Sequence, residues 1–533
     1  MTVRRSLSAQ ARLGRQAQAR LTRRSFLTAS AGLGVAAALA GCGGGFGDSS
    51  GGTSGGGSGG DGPEFDIPDA PSGFPTGDVT FRLVDSNDTK APYWEAFFEA
   101  YQAKFENVTC QYDGLPWNRI EEVVPLGFRN GSGHDLIQLP GSITLAQAVS
   151  EGWVSPLDEF IPDVEQWRGA LPDTLQVEGV QVFDGLLYQV PLATDQRYQQ
   201  AVHYNKQLVN DAGFDPQSEP LTWDTFREAA RKVTEAGDGQ AYGLILEINQ
   251  PGRLSMWVEY MARIAGLPAT GNILQPSGEF IHTGDEIVEA IELLLAVQSD
   301  GSLFPGSNSL TAPECWPRVV RGNAGMVFAG PWVTVQWENE NPDFEFGVGA
   351  LPTPGGGDPL PVGYIPFGAD ALVMSATSQV KEVAGHVLAY VTSLNGQTRW
   401  GEITGVGNPP MHDEAREASA ADYSEQARAC LDLADTMTAL PQPAIVNPDV
   451  ALVAQREVAP SPNFGEVIQS ILVGEVTDIR AALTDLKDRH ERARDAAIQE
   501  ATTRDGSTAT RQDWVFSNWD PTRDYTTEDY AGR

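Results

Sequence analysis

Acids, amides and a tryptophan stand where runs of apolar residues end, and these are the side chains with chemistry to offer. Asp85, Asn87 and Asp88 follow the alternating run 79–84. Trp117 occupies the polar loop 114–119 ahead of a helical pattern, and Ser142 follows Gly141 behind the short run 135–139. Glu247 and Asn249 close the run 241–246. Carboxylates and amides exchange hydrogen bonds with hydroxyl groups, and aromatic faces cover apolar C–H surface. A few polar groups among aromatics make the lining of a ligand cleft, and ligands of open α/β sheets sit at the carboxyl ends of strands. Some have a plainer reading, an Asx turn for 85–88 and packing for Trp117, while Gly141 and Ser142 would offer backbone amides to a ligand.

Signatures of bond-making chemistry are missing from the same stretches. Outside the Gly- and Ser-rich run 43–62 there is no Gly-x-Ser-x-Gly, and no His-Glu-x-x-His occurs anywhere. The six His are scattered from 134 to 490. No Gly-x-Gly-x-x-Gly follows a strand-like run, and Cys110, Cys315 and Cys430 are too far apart for a metal knuckle. No cofactor and no metal are therefore expected. One pair of those three Cys is open to bridging in an oxidising compartment, and the sequence does not choose which.

The elements that must position such residues alternate. Run 79–84 reads as a strand, followed after Pro92 by Tyr93, Trp94, Phe97, Phe98, Tyr101 and Phe105 on one helical face. Runs 107–112 and 135–139 read as the next strands. Thr222 is placed to cap a helix through Phe226 and Ala230, residues 285–299 form an amphipathic helix ended by Gly301, and 381–394 form another stopped by Asn395-Gly396. A further helix runs over 464–472 and a charged surface helix over 477–500. Strands alternating with helices predict an α/β fold with a parallel sheet.

Length and charge narrow the class. A chain of 533 residues with 41% hydrophobic content is long enough for about two to four domains. Thirty-six basic against 71 acidic residues leave a net charge of −35, which excludes a nucleic-acid binder. The first 41 residues, by contrast, carry seven Arg and no acid. Arg23-Arg24-Ser25-Phe26-Leu27 and the weakly apolar stretch behind it resemble a twin-arginine export signal, and Leu39-Ala40-Gly41-Cys42 resembles a lipobox, whose Cys is lipidated. Residues 1–41 are thus expected as signal peptide and 42–77 as a flexible linker behind lipidated Cys42.

Several stretches then match one family in register. They are Tyr188-Gln189-Val190-Pro191, Thr194-Asp195-Gln196-Arg197, Val202-His203-Tyr204-Asn205-Lys206 and Asp211-Ala212-Gly213-Phe214. Pro220-Leu221-Thr222-Trp223, Gly322-Asn323-Ala324-Gly325-Met326, Phe328-Ala329-Gly330-Pro331-Trp332 and Leu351-Pro352-Thr353-Pro354 follow. In this order they resemble the extracellular solute-binding proteins of carbohydrate ABC importers, the group that includes maltose-binding protein. The resemblance implies a two-lobed periplasmic-binding-protein-like II fold with crossover strands between the lobes. Lobe 1 would hold 78–195 plus 365–405, lobe 2 would hold 196–364 plus 406–500, and 501–533 would form a tail that docks or stays loose. It places Asp195 and Arg197 at the hinge near ligand, Trp257 where a sugar is often stacked, and Trp332 as the leading aromatic. Tyr364 and Phe367 put bulk where the family runs through small residues, a departure that narrows the cleft or adds a platform. The implied function is capture of a mono- or oligosaccharide by a lipid-anchored monomer, without catalysis, and its delivery to the permease subunits of an ABC transporter. The alternatives are a secreted glycoside-active enzyme and a binder of a non-sugar solute in the same fold.

Overall fold

The computed structural model describes residues 65–86, 89–131, 133–355 and 359–533. The expected signal peptide, Cys42, the first part of the linker and Asn87 lie outside the described residues.

In chain order the main strands are β1 (Val79–Ser86), β2 (Val108–Leu115), β3 (Leu136–Gln138), β4 (Val154–Ser155) and β5 (Gln189–Val190). They continue with β6 (Ala201–Asn205), β7 (Tyr242–Leu244), β8 (Ala324–Ala329), β9 (Phe346–Gly349) and β10 (Leu372–Ser375). One sheet has the order β2-β1-β3-β10-β4, with β5 also on β10. A second has the order β9-β6-β8-β7. Alternation along β1 sends Phe81 and Leu83 into one apolar cluster and Val84 into another, so both faces of the first sheet are covered.

The expectation of a parallel sheet holds for β1 with β2 and β3, but β10 runs antiparallel to β3, β4 and β5. The cause is connectivity: β10 arrives from the second sheet rather than over a helix crossover within the first. In the second sheet β6 is antiparallel to β8 and β9, while β7 and β8 are parallel. The two sheets are the hearts of two lobes. The chain passes between them at three places, and the passes are laced together. Ala369 N–H donates to the Ala193 carbonyl at 2.7 Å, and Thr194 N–H to the Pro409 carbonyl at 3.0 Å.

Local signals place most helices. Helix α1 (Ala91–Lys104) opens on Pro92 and buries Tyr93, Trp94, Phe97, Phe98 and Tyr101, the packing role its aromatic face implies. Thr222 caps α2 (Trp223–Gly237), its Oγ1 accepting from Thr225 N–H at 3.2 Å. The helix expected over 285–299 is observed as Asp285–Ser299. The stop expected at Asn395-Gly396 is not one. Ser393 Oγ accepts from Gly396 N–H at 3.1 Å and starts a new helix, Leu394–Thr404, directly behind Lys381–Val391. Gly is tolerated there because position 396 lies too close to the Tyr390 carbonyl for a Cβ.

The ends of the body are ordered by aromatics. Within the stretch expected as linker, Ile67 is buried in the lobe 1 core and Phe65 packs edge-on against Tyr93 and Phe97. At the other end the tail docks. Phe516, Trp519 and Tyr525 form a cluster with Leu440, and Arg263 lies over the Trp519 ring at 5.4 Å. Cys110, Cys315 and Cys430 are all free thiols, so the bridge left open by the sequence is not formed.

Candidate functional site

A cavity of about 500 Å³ opens between the lobes. Its lobe 1 wall is Thr89 and Pro92 at the start of α1, with Pro116, Trp117 and Asn118 at the start of the helix Trp117–Asn130. Its lobe 2 wall includes Gln250 and Arg253 at the start of the helix Pro251–Ile264, Trp316 on the helix Ala312–Val320, and Gln336 and Asn339 on the helix Trp332–Glu340. Three of these helices follow the carboxyl ends of β1, β2 and β8, so the chain turns its polar ends and first helical turns into the cleft.

The arrangement combines flat apolar surface with a cation. Trp117 is 43% exposed, a high value for so large a ring. The Arg253 guanidinium lies 5.5 Å from the Trp316 ring and 5.6 Å from the Trp332 ring. Trp316 is fixed in turn by Glu247, whose Oε1 accepts from its indole N–H at 3.0 Å. Burial pushes the Glu247 carboxyl up from its ordinary value, against the pull of Arg253. Gln250 is spent on structure, its Oε1 accepting from Ala312 N–H at 2.7 Å. Such a surface holds a ring with an apolar face and a polar rim; among the described residues no three His, Cys, Asp or Glu side chains converge for a metal.

A second polar assembly lies at the crossings. Lys90 Nζ meets Asp370 Oδ1 at 3.0 Å, and Arg197 meets Asp370 Oδ2 at 2.8 Å. Arg197 also donates to Asn408 Oδ1 at 3.0 Å and to the Gly407 carbonyl at 3.1 Å. Burial alone would raise the Asp370 carboxyl, but Arg197 and Lys90 hold it well below the carboxylate range. Asp85, 1% exposed, accepts from Trp94 Nε1 at 2.8 Å and Tyr112 OH at 2.6 Å. Burial pushes it up to about 6 in spite of Lys90. Asp195 is likewise pushed up to about 6 by burial, while accepting from Ile365 N–H at 2.9 Å and Gln199 at 2.8 Å.

The sequence candidates therefore separate. Trp117 lines the cavity, and Trp332 and Glu247 stand behind Arg253 and Trp316. Asp85, Asp195 and Arg197 belong to the crossing network. Trp257 is fully buried, its indole N–H donating to Gln200 Oε1 at 2.6 Å and its ring edge-on to Phe328; it packs the lobe 2 core instead of facing a ligand. Ser142 and Gly141 do not offer free amides, because Glu121 accepts from both N–H groups, at 3.3 and 2.9 Å. Asn249 is exposed beyond the strand end, away from the cavity wall. Tyr364 pairs as a short strand with Thr438–Ala439, and the Phe367 carbonyl accepts from Gln181; neither lines the cavity. Arg253 and Trp316 were missed. Arg253 sits two residues inside a helix that follows a turn, and Trp316 reads as the core stripe of an amphipathic helix.

The profile of the bacterial extracellular solute-binding proteins matches residues 85–398, more than half the chain. The chain belongs to that family. A Brucella abortus (strain 2308) protein named as a binding protein is 25% identical over 334 residues, spanning 62% of this chain and 75% of its own length. Among solved structures the fold is similar to an ABC transporter solute-binding protein from Thermotoga lettingae bound with α-D-tagatose. That likeness has a TM-score of 0.59 at 18% identity, over 79% of this chain and 100% of the other. The GacH receptor of Streptomyces glaucescens, solved unliganded and with acarbose, is similar at TM-score 0.58 and 19% identity, over 78% and 99% of the two chains. Maltose-bound MalE3 of T. maritima gives TM-score 0.58 at 16% identity, over 78% and 99%. Solute-binding family membership, the two-lobed fold and a cavity between the lobes thus come together in one chain. Among the described residues no helix is long and apolar enough to cross a membrane.

Proposed function

We propose that this solute-binding protein captures a saccharide between its lobes and delivers it to the permease of an ABC importer, as a monomer tethered by lipidated Cys42. The observation that carries the reading is the interlobe cavity with Trp117 on one wall and Arg253 and Trp316 on the other. Its volume lies within the range of small-molecule sites. A sugar touching both walls would favour the closed state, because only contacts that differ between open and closed states shift that equilibrium. No catalytic step is proposed.

The test is a thermal-shift and calorimetric screen against mono- and oligosaccharides. A binder gains about 2.7 kcal/mol at a hundredfold excess of ligand over Kd and returns the sugar unaltered. Trp117→Ala should weaken binding by about tenfold at little cost in stability, since the ring is largely exposed. Equal affinity in that variant would remove Trp117 from the site. Absence of any heat or melting shift with every saccharide would end the sugar reading. Tethering is read separately, by incorporation of labelled fatty acid that should vanish in Cys42→Ala.

A further inference from the structure

Arg253 faces the cavity with its guanidinium donors free, although Glu247 feels its charge from beyond ion-pair distance. Among the described residues its guanidinium makes no hydrogen bond and no ion pair; only the Trp316 and Trp332 rings lie against it. Other inward Arg side chains of this body each have at least one polar partner. Arg197 has Asp370 at 2.8 Å, Arg168 has Asp158 at 2.8 Å, Arg494 has Glu491 at 2.9 Å, and Arg263 donates to the carbonyls of Ala269 and Pro361. With acids outnumbering bases 71 to 36, a half-buried Arg lacking a carboxylate runs against the composition. Neither Glu247 nor Glu340, the acid on the cavity wall, forms an ion pair with it, although one Glu247 oxygen is itself left without a hydrogen bond. Glu247 Oε1 holds the Trp316 indole, and Glu340 Oε1 accepts from Gln336 Nε2 at 3.0 Å.

We propose that the ligand is an anionic saccharide, whose oxyanion is received by the Arg253 fork while its sugar ring lies on the tryptophan surface of the cavity. The proposal rests on the saccharide reading above and deepens it. A guanidinium is planar and presents paired donors, which matches a carboxylate or phosphate in two parallel hydrogen bonds. The flanking rings hold that plane without consuming its donors. Arg253 also lies in the first turn of a 14-residue helix, whose unpaired amides add positive potential at that spot. The net charge of −35 repels an anion at long range, but that repulsion is screened beyond about 8 Å at physiological ionic strength.

The experiment titrates the purified protein at fixed ionic strength with matched pairs. D-Galacturonate and its di- and trimer, and D-glucuronate, test the carboxylate; glucose 6-phosphate tests the phosphate; galactose, glucose and maltotriose are the neutral counterparts. The expected result is at least about tenfold tighter binding of one acidic class than of its neutral partner, the size of one charge-assisted contact. Arg253→Gln should erase that preference and Arg253→Lys restore part of it. Neutral sugars binding as well as or better than the acids would overturn the inference and leave the saccharide reading intact. A preference that survives Arg253→Gln would overturn it too. Binding of neither class would overturn both. If Arg253→Gln does not fold, the wild-type acid-to-neutral ratio decides alone.

Discussion

Replacing Asp370 with Asn should be among the most damaging single changes at the interlobe crossings. The Lys90, Asp370 and Arg197 side chains are 1%, 9% and 11% exposed, and one carboxylate serves both cations at 3.0 and 2.8 Å. Asparagine keeps the shape and removes the charge. Lys90 would still have Asp85 at 3.8 Å and Gln138 at 3.0 Å, and Arg197 would keep Asn408 and the Gly407 carbonyl. Removing one partner of a buried ion pair costs about 3–5 kcal/mol, because the remaining charge stays desolvated. For the body from Pro63 to Arg533, an unfolding entropy of about 2.1 cal/mol/K per residue converts that into roughly 3–5 °C of Tm if it melts as one unit. Urea unfolding at pH 7 measures the cost directly. The carboxyl of Asp370 is held low, so its contribution is present above the ordinary aspartate value and is lost as pH falls below about 4. Wild type and variant should therefore draw closer step by step as the pH falls below about 4. A variant within about 1 kcal/mol of wild type at pH 7, or a gap that does not shrink at all between pH 5 and pH 3, would refute the argument.

Three further outcomes are expected. His282 is fully buried with no partner on either ring nitrogen, stacked on His490 at 4.8 Å, and burial lowers its pKa to about 3. Its neutral form stabilises the fold above about 6.5 and that contribution is lost as pH falls, so His282→Phe should flatten the acid limb by up to about 1.4 kcal/mol per pH unit. Urea unfolding from pH 7 to 4 reads this, and parallel curves would contradict it. Phe516→Ala should cost about 3–5 kcal/mol and open residues 507–533 to limited proteolysis, since Phe516 is fully buried under Tyr525 and Arg533. An equally protected tail would sink that packing role. Burial raises the thiols of Cys110 and Cys430 to about 12, so a thiol reagent should label the native body slowly, then titrate three thiols in denaturant, with no change in Tm on adding reductant. Fast labelling of a native thiol, or a melting shift with reductant, would count against it.

Parts of this chain were legible because the deciding interactions are local. The aromatic face of α1, the Thr222 cap and the Gly301 stop need only neighbours within a turn or two, and the observed elements follow them. Family motifs such as Phe328-Ala329-Gly330-Pro331-Trp332 carried the fold class further than periodicity could. Asn395-Gly396 misled because the Ser393 hydroxyl, a stronger local signal, competes for the same turn.

By itself the sequence determined most of the strand and helix placement, an acidic body, and the family to which that body belongs. Only the tertiary structure decided which polar groups meet. Lys90 and Asp370 are 280 residues apart, so no spacing rule could pair them. Trp257 and Trp117 are the same residue type on helices that follow strands, yet one faces a core and the other a cavity. Trp257 is turned onto its own lobe at Phe328 and Gln200, while Trp117 meets residues of the other lobe across the cavity, and pattern along a chain does not encode that choice.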